Sequence, residues 1–203
     1  MRTFITFVLV LFIMTAFDTK EKSGYQVGDN ATDFNLKNVD GKKVSLSDYP
    51  EAKGFIIAFT CNTCPFSVLY EQRIIDLHNE FSPQGFPVIA INPNDPVKQP
   101  GDSFDKMKSR AKEKNYPFPY LVDETQEITL AYGATNTPHM YVLKKEDGKY
   151  KVMYIGAIDN NPKEPENASN KYVQDALKAL INGNEVPEKS TKAVGCSIKW
   201  KSA

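Results

Sequence analysis

Hydrophobic positions along this chain gather into short dense runs and helical-period stripes. The densest run, Phe55-Ile56-Ile57-Ala58-Phe59, is continuous rather than alternating and rich in aromatic and β-branched residues. That pattern predicts a central strand buried on both faces. It runs through Thr60-Cys61-Asn62-Thr63-Cys64-Pro65 into a stretch where Phe66, Tyr70, Ile74, Leu77 and Phe81 recur at helical spacing. Two cysteines are thereby predicted in a strand-to-helix turn.

Before this unit, Gly28 to Leu36 alternates as a strand, Asp40-Gly41-Lys42 marks a turn, and Val44-Ser45-Leu46 reads as a second short strand, so that an antiparallel hairpin leads in. After it, Ser82-Pro83-Gln84-Gly85 breaks the helix and Phe86 to Ile91 forms another buried strand, completing a right-handed βαβ crossover. Ser103 to Lys114 reads as a surface helix with Phe104, Met107 and Ala111 inward. The prolines of Tyr116 to Val122 reduce that stretch to a short edge strand. Asp123 is expected to cap a helix holding Ile128, Leu130, Ala131 and Tyr132, closed by Gly133. Thr135 to Leu143 is a loop entering a strand, Asp147-Gly148 turns it into Lys151 to Gly156, residues 160–170 are a polar insertion, and Tyr172 to Ile181 is the last helix.

The N-terminus pairs a basic Met1-Arg2-Thr3 with an apolar run from Phe4 to Phe17 that stops at Asp18-Thr19-Lys20. A membrane span needs about 20 such residues. The shorter run predicts an export signal over residues 1–17, cleaved or retained as an anchor, and then a polar spacer over 18–27. The folded domain is expected over 28–182. The tail, 183–203, carries Val194, Cys196, Ile198 and the sole tryptophan, Trp200, and is expected to pack on that domain. The protein is expected to be exported, periplasmic or otherwise extracytoplasmic, touching a membrane only through residues 1–17 if these are uncleaved.

Lysine plus arginine and aspartate plus glutamate each number 25, a balance that points away from nucleic acid or an anionic surface as partner. Three cysteines are too few for a disulfide-stapled miniprotein. Cys61 and Cys64 sit where unpaired helix N–H groups and the positive end of the helix dipole favour a thiolate. Two intervening residues let the sulfurs join within one turn, and Pro65 suits the first helical position. A static disulfide or half a zinc site is the structural alternative. Zinc would need further ligands from the widely separated His78, His139 and Cys196. Cys196 reads either as a third redox residue or as a packed thiol.

Cys61-Asn62-Thr63-Cys64-Pro65 on this turn, with Thr137-Pro138 entering a later strand, resembles the thioredoxin superfamily. More narrowly it is similar to the peroxiredoxin-like and redoxin branch, the alkyl hydroperoxide reductase and thiol-specific antioxidant group. The resemblance spans about Gly28 to Ile181. It implies an α/β fold, a thioredoxin-like three-layer α/β/α sandwich with a central mixed sheet and an N-terminal β-hairpin extension. It makes Cys61 the exposed nucleophile and Cys64 the resolving cysteine, and it matches Pro138 to a cis-proline facing them. Thr60, Asn62, Thr63, Pro65, Thr137, Pro138 and His139 would then shape the site or touch substrate, the backbone of Thr137 pairing with an extended substrate strand. No cofactor is implied beyond a redox-active Cys61–Cys64 disulfide. The implied partners are protein or small-molecule disulfides and an upstream thiol electron donor or acceptor.

The implied activity is thiol–disulfide exchange outside the cytosol. Two departures bear on the alternatives. Aligning Cys64-Pro65 with the peroxidatic Cys-Pro of Pro-x-x-x-Thr-x-x-Cys puts Cys61 in the threonine position and Ile57 in the proline position. The central strand also lacks the buried acid of thioredoxins. A thiol peroxidase is the second reading, and a Cu(I) delivery module using two cysteines and a histidine such as His139 the third.

Overall fold

The computed structural model describes residues 24–202, so the expected export segment and the first part of the spacer lie outside the described residues. The central run Gly54–Phe59 forms strand β4, and every residue in it is buried. Successive side chains point to opposite faces of a strand. Ile56 and Ala58 accordingly enter one core, and Phe55, Ile57 and Phe59 the other. Burying each large side chain stabilises the fold by about 1.5–3 kcal/mol.

Helix α1, Pro65–Phe81, follows with Pro65 in its first turn, and its buried stripe is Ser67, Tyr70, Ile74, Leu77 and Phe81. Phe66, expected on that stripe, is only half-buried; the first inward position falls on Ser67. A short 3₁₀ turn at Ser82–Gln84 closes the helix, and Gly85 takes a left-handed φ of 95° that favours glycine. Strand β5, Val88–Asn92, then pairs parallel with β4.

The stretch from Gly28 to Leu36 is two strands rather than one. Asn30–Ala31 (β1) pairs with one edge of the sheet, and Leu36–Asn38 (β2) lies near the other, hairpinned to Lys43–Val44 (β3). Asp33 breaks the run: its carboxylate accepts the N–H groups of Phe34, Leu46 and Ser47, turning the chain away. Tyr120–Val122 (β6) is also not an edge. It pairs parallel with β5 and antiparallel with β2, because Pro117 and Pro119 precede it and leave its ladder intact.

Helix α2, Phe104–Glu113, buries Met107 with Phe104 and Ala111 partly covered. Helix α3, Glu127–Tyr132, begins after Gln126 rather than at Asp123. Asp123 instead accepts hydrogen bonds from the Thr129 N–H and hydroxyl inside the helix, and Leu130, 64% exposed, faces outward. Asn136–Thr137 (β7) leads to the hairpin His139–Glu146 (β8) and Lys149–Gly156 (β9), and Tyr172–Ile181 is α4.

The eight-stranded mixed sheet runs β1-β9-β8-β4-β5-β6-β2-β3. Helices α1, α2 and α4 cover one face; α3, the Leu46 turn and Ile198 of the tail cover the other. The sandwich matches the expected thioredoxin-like architecture. A buried Arg73–Asp159 ion pair, joined by the Tyr70 hydroxyl, ties α1 to the loop after β9.

Candidate active site

A parallel strand followed by a helix aims unpaired N–H groups at the turn between them. Here Cys64 is the residue just before α1, and Cys61 lies three positions earlier, in the turn beyond the end of β4. All three cysteines are free thiols, and they converge. The Cys61 Sγ lies 3.2 Å from the Thr137 hydroxyl and 3.8 Å from that of Ser67. The Cys64 Sγ lies 3.1 Å from the Thr137 carbonyl and 2.6 Å from the Cys196 Sγ.

The Thr137-Pro138 bond is cis, so the sequence positions matched to the cis-proline loop face the sulfurs. Against this loop lies the tail. Cys196–Ser197 (β10) pairs antiparallel with β7, Cys196 opposite Thr137, and so occupies the edge expected to receive a substrate strand. Gly195 permits the approach, since a Cβ there would stand 2.2 Å from the Thr137 carbonyl oxygen.

These surroundings divide the protons unequally. The Cys64 thiol is pulled down to about 4, first by the Cys61 thiol donating to it, then by the Cys196 S–H and by the N–H groups of Ser67 and Cys196, against the pull of burial. Cys61 moves up, held protonated by Cys64, by burial and by the charge of Asp102. Cys196 is raised to about 11 by burial and by donating to Cys64. When Cys64 does carry a proton, the Thr137 carbonyl accepts it.

The expectation that Cys61 is exposed is corrected. Cys61 is 6% and Cys64 4% exposed, and the thiolate-stabilising contacts gather on Cys64. The helix begins at Pro65, directly after Cys64, while Cys61 lies three positions earlier against Thr137.

The residues between the cysteines anchor the turn. The Asn62 N–H donates to Asp102 Oδ1 at 2.8 Å, its side-chain amide to the Gly101 carbonyl, and its Oδ1 accepts from the Tyr120 hydroxyl. The Thr63 hydroxyl and the Asn94 amide both donate to Asp102 Oδ2. Asp102 is thus a buried acid beside the pair, supplied by the loop before α2 instead of the central strand. Sequence reading missed it, because only its place just ahead of the helix-starting Ser103 set it apart.

Thr60 is buried and lines a narrow cleft with Ser67, Glu71 and Tyr116. His139 also stays out of the cluster. Its Nδ1 accepts from the Thr135 N–H, its ring lies on Tyr141, and burial lowers it to about 4, so it is neutral and lends no cationic help to the thiolate. Among the described residues no group of three His, Cys, Asp or Glu side chains has metal-holding geometry, and no helix is long and apolar enough to cross a membrane.

The profile of a family described as the AhpC/TSA family matches residues 27–155. The thiol-disulfide oxidoreductase ResA of Geobacillus kaustophilus (strain HTA426) is 29% identical over 165 residues, covering 78% of this chain and 87% of that protein. An uncharacterized conserved protein from Geobacillus kaustophilus, solved by crystallography, is 40% identical with a TM-score of 0.80, covering 88% of this chain and 94% of that one. The pneumococcal exposed lipoprotein thioredoxin Etrx1 from Streptococcus pneumoniae strain TIGR4 shares the fold at 22% identity and a TM-score of 0.55, covering 72% of this chain and 98% of its own.

Proposed function

This chain belongs to the AhpC/TSA family, and from that premise we propose that it is a thiol–disulfide oxidoreductase acting outside the cytosol through Cys61 and Cys64. The observation that carries the reading is Cys64, placed just before α1 with its thiolate favoured, in contact with Cys61 and facing a cis Thr137-Pro138 loop. The relationship to ResA supports exchange chemistry, and the apolar Phe4 to Phe17 segment supports export.

The Cys64 thiolate attacks one sulfur of a substrate disulfide, forming a Cys64–substrate bond and expelling the other sulfur as a thiolate that takes up a proton. Cys61 then loses its proton and attacks the Cys64 sulfur. The second substrate thiol is released and a Cys61–Cys64 disulfide remains, so two electrons have passed to the substrate. An external thiol donor returns the pair to the dithiol, and the reverse sequence inserts disulfides.

Trapping separates the roles. With a disulfide-bonded peptide, and with Cys196→Ser as the background so that no neighbouring thiol resolves the adduct, Cys61→Ala should accumulate a covalent adduct on Cys64, and Cys64→Ala should accumulate none. Adducts that form on Cys64→Ala in the same amount overturn the assignment.

A thiol peroxidase is the second reading, favoured by the low-lying Cys64 thiolate followed directly by Pro65. Catalytic consumption of hydrogen peroxide by the reduced protein in the presence of a dithiol would select it.

A further inference from the structure

Cys61 and Cys64 are both covered, and the C-terminal segment lies over them. It is fixed on either side of Cys196: the Asn136 amide donates to the Gly195 carbonyl at 2.9 Å and the Ile198 N–H to the Thr135 carbonyl at 3.1 Å. Ile198 is buried in the core. The Lys199 backbone is held by Asn94, by the Asp95 N–H and by Gln126. The Cys196 N–H itself donates to the Cys64 Sγ. Of the three cysteines only Cys196 is partly exposed.

We propose that Cys196 is a third redox cysteine, a relay that carries the disulfide from the buried Cys61–Cys64 pair to a place an external thiol can reach. The inference rests on the exchange activity proposed above and adds to it the route by which the pair is recharged.

The step begins from the Cys61–Cys64 disulfide. Cys196 gives up its proton to solvent and attacks the Cys64 sulfur. The Cys64–Cys196 bond forms, the Cys61–Cys64 bond breaks, and Cys61 leaves as a thiolate and is protonated. No electrons enter or leave. An external dithiol next attacks the Cys196 sulfur and expels Cys64, whose low thiol pKa makes it the better leaving group. The second thiol of the donor then attacks the mixed disulfide on Cys196, so the donor leaves as a disulfide, having supplied two electrons.

The pairing of β10 with β7 fits this role. It fills the strand-receiving edge with the chain's own cysteine, in the manner of an added strand. It also sets the sulfur at 2.6 Å from its target before any reaction begins.

The test oxidises the reduced full-length chain with diamide, blocks free thiols and maps disulfides without reduction. Wild type should yield both Cys61–Cys64 and Cys64–Cys196 linkages, and Cys61→Ser only the latter. Cys196→Ser should still form the Cys61–Cys64 disulfide but be reduced by dithiothreitol at least tenfold more slowly. Gly195→Val keeps all three sulfurs while pushing the strand off Thr137, and should lose the Cys64–Cys196 linkage and be slowed in the same way. Finding Cys61–Cys64 but never Cys64–Cys196, with Cys196→Ser reduced at the wild-type rate, overturns the relay alone. Finding Cys64–Cys196 but never Cys61–Cys64 overturns the exchange reading, and the relay loses its source with it.

Discussion

Asp102 accepts the backbone N–H of Asn62 at 2.8 Å, bringing a carboxylate from the loop before α2 to the middle of the cysteine turn. The same carboxylate holds the Thr63 hydroxyl and the Asn94 amide, and Asn94 in turn accepts the Lys199 N–H of the tail. One buried side chain thus couples the redox turn to the segment that covers it.

Asp102→Ala removes the acceptor for three donors at a position that is 1% exposed. Hydrogen bonds to charged groups contribute about 1.5–3 kcal/mol each and are not additive, so the reduced protein should lose about 3 kcal/mol in a urea titration. Asp102→Asn keeps the shape and loses the charge. It should cost less stability while lowering the Cys61 thiol, since Asp102 is one of the causes that raise it. A wild-type thiol titration in Asp102→Asn contradicts that coupling.

The reduced cluster should also show an unusual pH profile. Because Cys64 is lowered to about 4, ultraviolet thiolate absorbance should persist far below the ordinary thiol value of 9.0 and vanish only as the pH falls through about 4. The sign for stability follows. A thiol depressed in the fold stabilises it above the ordinary value, and that contribution drains away as the pH falls toward about 4. Cys196, raised to about 11, acts the other way: its contribution is present below 9.0 and lost as the pH rises through about 11. Cys196→Ala should raise the Cys64 titration and flatten the alkaline loss.

Much of this was legible in the chain. A run as short and as rich in aromatic and β-branched residues as Phe55 to Phe59 favours a doubly covered strand, and a helical stripe behind a Cys-x-x-Cys-Pro leaves little choice of turn. What failed needed information from distant residues. The hydrophobic alternation of 28–36 could not show that Asp33 would be claimed by Leu46 and Ser47 and divide the strand. Pro117 and Pro119 argued for an edge, yet both precede the three residues that pair. The carboxylate near the cysteines was sought in the central strand, whereas a loop 40 residues downstream delivers it.

The Arg73–Asp159 pair offers a test of how α1 is held. Arg73 is 12% and Asp159 5% exposed at the side chain, and Arg73 also donates to the carbonyls of Asn161 and Pro162. Removing one partner of a buried pair strands the other charge, at a cost of about 3–5 kcal/mol. Arg73→Leu should therefore unfold at clearly lower denaturant, and the double change Arg73→Leu with Asp159→Leu should recover part of the loss. If the double variant is as unstable as the sum of the singles, the pair is not the coupled unit described here.

His139 supplies a second acid-side signature beside that of Cys64. Burial against Tyr141 lowers it from 6.5 to about 4, and its neutral Nδ1 accepts the Thr135 N–H beside the strand that β10 joins. A base depressed in the fold contributes stability that is full above its unfolded value and lost as the pH falls through its folded one. Stability of the wild type should thus decline between pH 6.5 and about 4. His139→Asn offers Thr135 an acceptor that does not titrate, so its curve should be flatter over that window even if its stability at neutral pH is lower. His78 is displaced in the same direction by burial and accepts the Val88 N–H, and together with Cys64, whose contribution also falls over this window, it should leave a residual slope. Chemical denaturation of both proteins across the window decides the matter, and an unchanged slope in His139→Asn would mean that His139 is not the buried neutral base assigned to it.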